Sequence, residues 1–95
     1  MNSKNTKSIL DEAIIVTKGS RRRDYDSALP NHNRIARLWN AYILSRANPS
    51  GEISAIDVSH MMILLKIARA CKTPTRDTYI DIAGYAQCSA EIANL

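Results

Sequence analysis

The stretch MMILLKIARACKTPTRDTYIDIAGY, Met61 to Tyr85, decides the fold. It opens on the densest apolar run of the chain, Met61 to Leu65, and continues with Lys66 and Arg69, which with Met62 follow the three- and four-residue steps of one helix face. It closes with Asp77, Asp81 and Tyr85, again four apart. Lys72 to Thr75 reads as a short turn between the two halves, so the helices are expected to lie antiparallel. Facing residues in such a hairpin keep a nearly constant sum of position numbers. Arg69 with Asp77, Lys66 with Asp81 and Met62 with Tyr85 hold that sum to within one. The sequence thus predicts two ion pairs between largely apolar helices. A half-buried ion-pair ladder that fixes register is one reading, because an unpaired charge there would be costly. The other is that Lys66 and Arg69 also reach a phosphate-bearing ligand while Asp77 and Asp81 hold them in place.

Signals for two further helices, and for the ends of the hairpin's own, surround this stretch. Ser54-Ala55-Ile56-Asp57 has the form of a capping box and starts the hairpin's first helix, which is apolar nearly all round, as suits a central helix or an oligomer interface. Upstream, Ile35, Leu38, Trp39, Tyr42 and Ile43 recur at helical spacing; Asn31 or Asn33 is the expected cap, and the helix is expected from about His32 to Arg46. Asn48-Pro49-Ser50-Gly51 ends it. Ser8 to Lys18 reads as the first helix, with Asp11 and Glu12 in its first turn and Gly19 as its stop. Ser20 to Pro30, which carries Arg21, Arg22, Arg23 and Tyr25, reads as a surface loop. Thr73 followed by Pro74 is expected to start the last helix, whose alanines and Gly84 would admit a close neighbour. The expected architecture is all-α: a compact four-helix domain over residues 1–95, with a C-terminal antiparallel hairpin and a polar tail at 1–7.

A chain of 95 residues buries little core for its size, yet 45% of its residues are hydrophobic, so a homo-oligomer is expected to hide the surplus. Cys71 and Cys88 lack the spacing of a zinc site, and no segment has the length of a membrane helix or the form of a signal peptide, so a cytoplasmic location is expected. The net charge of +4 favours anionic partners, and Lys18 with the arginine run at 21–23 is its strongest local concentration. No nucleophile elbow or phosphate-cradling glycine loop is present. Trp39 sits on an apolar stripe and is expected in the core, whereas Tyr25 lies among the arginines and is a candidate ligand contact. His32 and His60 have no companion at metal-ligand spacing.

The pattern Gly19-x-Arg21-x-x-x-Tyr25, then Asn31 with Ile35-Ala36-x-Leu38-Trp39, then Asp57-Val58-x-x-Met61-Met62-x-x-Leu65-Lys66-x-x-Arg69, then Asp77-x-Tyr79-x-Asp81-x-x-Gly84-Tyr85 resembles a family of small, mostly phage-encoded proteins. It covers about four fifths of the chain, with Asp26 where the family usually has glycine. More distantly, the Lys-x-x-Arg helix before an Asp-bearing helix is similar to the MazG-like nucleotide pyrophosphohydrolases, which hold magnesium with paired acids on two helices. This chain lacks the first acid pair: cations Lys66 and Arg69 face Asp77 and Asp81, an arrangement suited to gripping an anion. The family resembled has no assigned function; in a phage setting, analogy with phage sponge proteins leads to the expectation of a nucleotide-binding protein that sequesters a nucleotide-derived immune signal as an anti-defence measure in the infected cell. Its ligand-binding candidates are Arg21, Arg23, Tyr25, Asn31, Lys66, Arg69, Asp77, Asp81 and Tyr85, with no catalytic residue, metal or cofactor. Two alternatives stand beside it: a magnesium-dependent pyrophosphohydrolase using Asp77 and Asp81, and a nucleic-acid or protein interaction module using the arginine run.

Overall fold

The computed structural model describes residues 8–19 and 27–95, and these form four α-helices with no strand among them. They are α1 (Ile9–Lys18), α2 (Ala28–Ser45), α3 (Ala55–Lys72) and α4 (Arg76–Ile92). The all-helical expectation holds, and α3 is the central element, packed against both α2 and α4. None of the four is long and apolar enough to cross a membrane.

The Ser54 capping box falls where the sequence placed it, and a second one forms at Ser8, where the sequence reading noted only the first-turn acids. Ser8 Oγ accepts from the Asp11 backbone N–H at 3.1 Å, and Ser54 does the same for Asp57 while the Asp57 carboxylate takes the Ser54 backbone N–H at 2.9 Å. Two helix starts differ from expectation. α2 begins at Ala28, not His32, because Pro30 falls in its first turn, where the missing N–H would have had no intrahelical partner. Asn31 consequently caps nothing; it lies one turn inside the helix and is buried. α4 begins at Arg76 with Thr75 as its cap, Thr75 Oγ1 accepting from the Thr78 N–H at 3.2 Å. Thr73 instead terminates α3, since a residue before proline is pushed out of the helical region, and its φ of −146° and ψ of 105° are extended.

The α3–α4 hairpin has the expected register. Lys66 Nζ lies 3.0 Å from Asp81 Oδ2. Ser59 Oγ, two turns earlier on α3, donates to the Tyr85 carbonyl at 2.9 Å and meets Ser89 Oγ at 2.7 Å. Ala68 and Thr78 are fully enclosed between the helices, so the small residues that permit close approach are these two. Gly84 is not among them: it lies on the outer face of α4, where a Cβ would meet nothing within 4 Å. The second predicted ion pair does not form among the described residues; Asp77 is exposed in the first turn of α4, where a carboxylate suits the positive end of the helix dipole.

α2 runs antiparallel to α3. Trp39 Nε1 donates to the Met61 carbonyl at 2.7 Å, and Tyr42 reaches Asp57 and His60. Trp39 thus packs inward, as its stripe implied. The apolar residues buried among the described ones are Ile35, Met61 and Ala68, all in this three-helix unit. α1 buries none of its residues and leaves Ile9 87% exposed, while α4 leaves Tyr79 and Ile80 each about half open.

Candidate functional site

Two polar clusters occupy opposite ends of the α2–α3 pair. At the α3 N-terminus the centre is Asp57, a residue for which the sequence suggested only a capping role. Its carboxylate receives the Ser54 backbone N–H and hydroxyl, the Tyr42 hydroxyl at 2.6 Å and Arg46 Nη1 at 2.9 Å. The Ser54 backbone hydrogen bond first, then those from Tyr42 and Arg46, hold its carboxyl well below the usual carboxylate range. Burial, reinforced by the bond to Asp57, pushes the Tyr42 phenol up to about 12. Since Tyr42 gives its one proton to Asp57, His60 Nδ1, 3.0 Å away, is the donor to the phenolic oxygen. Arg46 spends its other donors on the carbonyls of Ile43, Pro49, Gly51 and Glu52, which ties the 46–54 loop to the helix pair. Every group in this cluster has a partner, and its role is to fix the fold.

The opposite end is built differently. The inner stripe of α2 continues past Ile35 with Arg34 and Asn31 in place of apolar residues. The register set by the Trp39–Met61 and Tyr42–Asp57 bonds carries Asn31 level with Arg69 and Arg34 level with Lys66. Lys66 is largely buried, its side chain 15% exposed, and is held by the half-exposed Asp81. Arg34 Nη1 and Arg69 Nε are both sequestered from solvent. Asn31 is 8% exposed, and its side-chain oxygen is buried with no hydrogen-bond partner among the described residues. Such an atom costs about 1–3 kcal/mol.

Of the predicted ligand residues, the structure therefore gathers Asn31, Lys66, Arg69 and Asp81 toward this end. Tyr85 lies beyond Asp81 on α4, beside a shallow outer groove shared with Ile80, Gly84 and Cys88. Asp77 is exposed and not joined to Arg69. Arg21, Arg23 and Tyr25 lie outside the described residues. Arg34 was not singled out from the sequence, although an arginine three residues after Asn31 on an otherwise apolar stripe was the available signal. Among the described residues no three of His, Cys, Asp and Glu come together as a metal site.

The chain is similar to two curated phage proteins. It is 48% identical to the Gene 55 protein of Mycobacterium phage L5 over 80 residues, which is 83% of this chain and 48% of that protein. It is 41% identical to the Gene 55 protein of Mycobacterium phage D29 over 88 residues, 92% of this chain and 54% of that one. The chain thus spans about half the length of the curated relatives it matches. No solved structure matches it significantly. A family model covers residues 8–93, nearly the whole chain and all four helices, and the chain therefore belongs to that family, the domain of unknown function DUF6378.

Proposed function

We propose that this chain binds a nucleotide-type anion at the end of the helical unit where Asn31, Arg34, Lys66 and Arg69 lie, and that it sequesters that molecule in the infected host cell. The observation that carries the reading is the helix register, which brings Arg34, Lys66 and Arg69 to the same end of the helix pair, with Lys66 held by Asp81 at 3.0 Å. Partial burial raises the strength of a charge-assisted hydrogen bond to phosphate, and a guanidinium offers the forked donors that phosphate oxygens accept. The overall charge of +4 would favour the approach of such a ligand. The arginines at 21–23 lie a few residues before α2 in the sequence, and the same reading makes Arg21 and Arg23 further phosphate contacts and Tyr25 a stacking partner.

A resident magnesium of the pyrophosphohydrolase kind does not fit the described residues. Asp81 already accepts from the Lys66 ammonium, Asp77 stands four residues away on an exposed surface, and no third carboxylate joins them. A homo-oligomer is part of the proposal, supported by the exposed aliphatic residues of α1 and of the outer face of α4.

The test is to incubate the purified protein with mono-, tri- and cyclic nucleotides and magnesium, separate bound from free, then denature it and identify what is released. Recovery of one intact nucleotide, lost in the Arg69→Gln variant, is expected. A shortened product with pyrophosphate would restore the enzyme, and retention of bound nucleotide by Arg69→Gln would overturn the phosphate assignment.

A further inference from the structure

Asn31 Oδ1 and the cations at the same end of the helix pair call for different atoms of a ligand. Phosphate oxygens at neutral pH are acceptors, a chemistry suited to Lys66 and the two arginines. The buried atom of Asn31 that lacks a partner is its Oδ1, also an acceptor. Two acceptors cannot bond each other, so a bare phosphate chain would leave Asn31 Oδ1 as it stands. What Oδ1 takes is an O–H or N–H, and in a phosphorylated ligand these belong to the organic portion: a sugar hydroxyl, or a ring or exocyclic N–H of a base. The position is a built one. Asn31 sits on the inner stripe of α2, one turn before Ile35, is more than nine-tenths buried, and is fixed in a helix whose preceding turn is anchored by the Asn31 N–H to the Ser27 carbonyl at 3.3 Å.

Resting on the anion-binding reading, we infer that Asn31 is the specificity-determining contact of the site, its Oδ1 accepting a hydrogen bond from an O–H or N–H of the nucleoside portion of the ligand. The site thereby selects nucleotides over inorganic polyphosphate. A site that hydrogen-bonds a substrate group discriminates strongly against analogues lacking it, because its own buried atom is then left unpaired.

The experiment measures equilibrium binding of inorganic triphosphate and of each of the four common ribonucleoside triphosphates to the full chain and to Asn31→Leu. For the unaltered chain, at least one nucleoside triphosphate is expected to bind tenfold or more tightly than inorganic triphosphate. In Asn31→Leu that preference should vanish while affinity for inorganic triphosphate stays within about twofold. Preference that survives the substitution, or an unaltered chain that binds both probes equally, would overturn the role of Asn31 and leave the anion site standing. If the unaltered chain binds none of the five probes, the anion reading itself fails and the inference falls with it. Should Asn31→Leu not fold, Asn31→Gln, which displaces the amide by one methylene, is read by the same criteria.

Discussion

The two ends of the α2–α3 pair spend comparable numbers of polar side chains in opposite ways. Around Asp57, donors and acceptors close on one another: the carboxylate is reached by Ser54, Tyr42 and Arg46, and the guanidinium also reaches four carbonyls of the adjoining chain. At the Asn31 end, an amide oxygen is buried with no donor to it among the described residues. A saturated network rigidifies a fold, whereas a buried polar group left open reduces stability and is retained where it has another use. On the reading proposed above, the buried Asn31 oxygen is what distinguishes the second cluster from the first, although both contain the same kinds of residue.

The comparison is sharpened most by Arg46→Met, which removes one partner of an ion pair whose side chains are both about nine-tenths buried. A loss of about 3–5 kcal/mol is expected in urea unfolding. A loss below about 1 kcal/mol would mean that the Asp57 cluster is not what holds the helix pair.

Acid provides a second approach to the same cluster. The Asp57 carboxyl titrates below its ordinary value in the folded chain, so the unfolded chain takes up the proton first. The stability it contributes is present above the usual carboxylate range and is lost as pH falls through that range toward the lower folded value. Asp57→Asn should flatten the acid limb of the stability curve; an unchanged limb would assign acid sensitivity to other carboxylates.

Tyr42→Phe is expected to cost less, about 2 kcal/mol, for one hydrogen bond to a charged acceptor that keeps its other donors. Its phenol titrates upward, so the stability it adds is present below the ordinary value of 10.0 and is lost as pH rises through about 12. Ultraviolet titration of the wild type against Tyr42→Phe should show one phenol ionising near about 12, and a difference spectrum appearing at the ordinary value would contradict the bond to Asp57.

The smallest stability effect belongs to the other end. The Lys66–Asp81 pair has a carboxylate 46% exposed to solvent, which screens it, so Asp81→Asn should change stability by no more than about 0.5 kcal/mol. The same substitution should weaken nucleotide binding measurably by releasing Lys66 from its orientation. An effect on stability comparable to that of Arg46→Met would place Asp81 in the structural class instead.

Local signals carried most of the fold. The Ser8 and Ser54 capping boxes, the apolar run at 61–65 and the Lys66–Asp81 register are written in neighbouring residues, because capping and helical periodicity act over three or four positions. The starts of α2 and α4 were misplaced where a proline permitted two readings: Pro30 lies inside a first turn, and Pro74 lies before one. The sequence by itself determined the helix count, the α3–α4 hairpin and the presence of Asn31, Lys66, Arg69 and Asp81 as candidates. Only the tertiary structure decided that Asp57 gathers Tyr42 and Arg46, that Tyr42 meets His60, that Gly84 faces outward, and that the Asn31 oxygen has no donor among the described residues. Those outcomes depend on which residues of separate helices meet at a given level, and hydrogen-bond completeness is a property of that meeting, which no single segment contains.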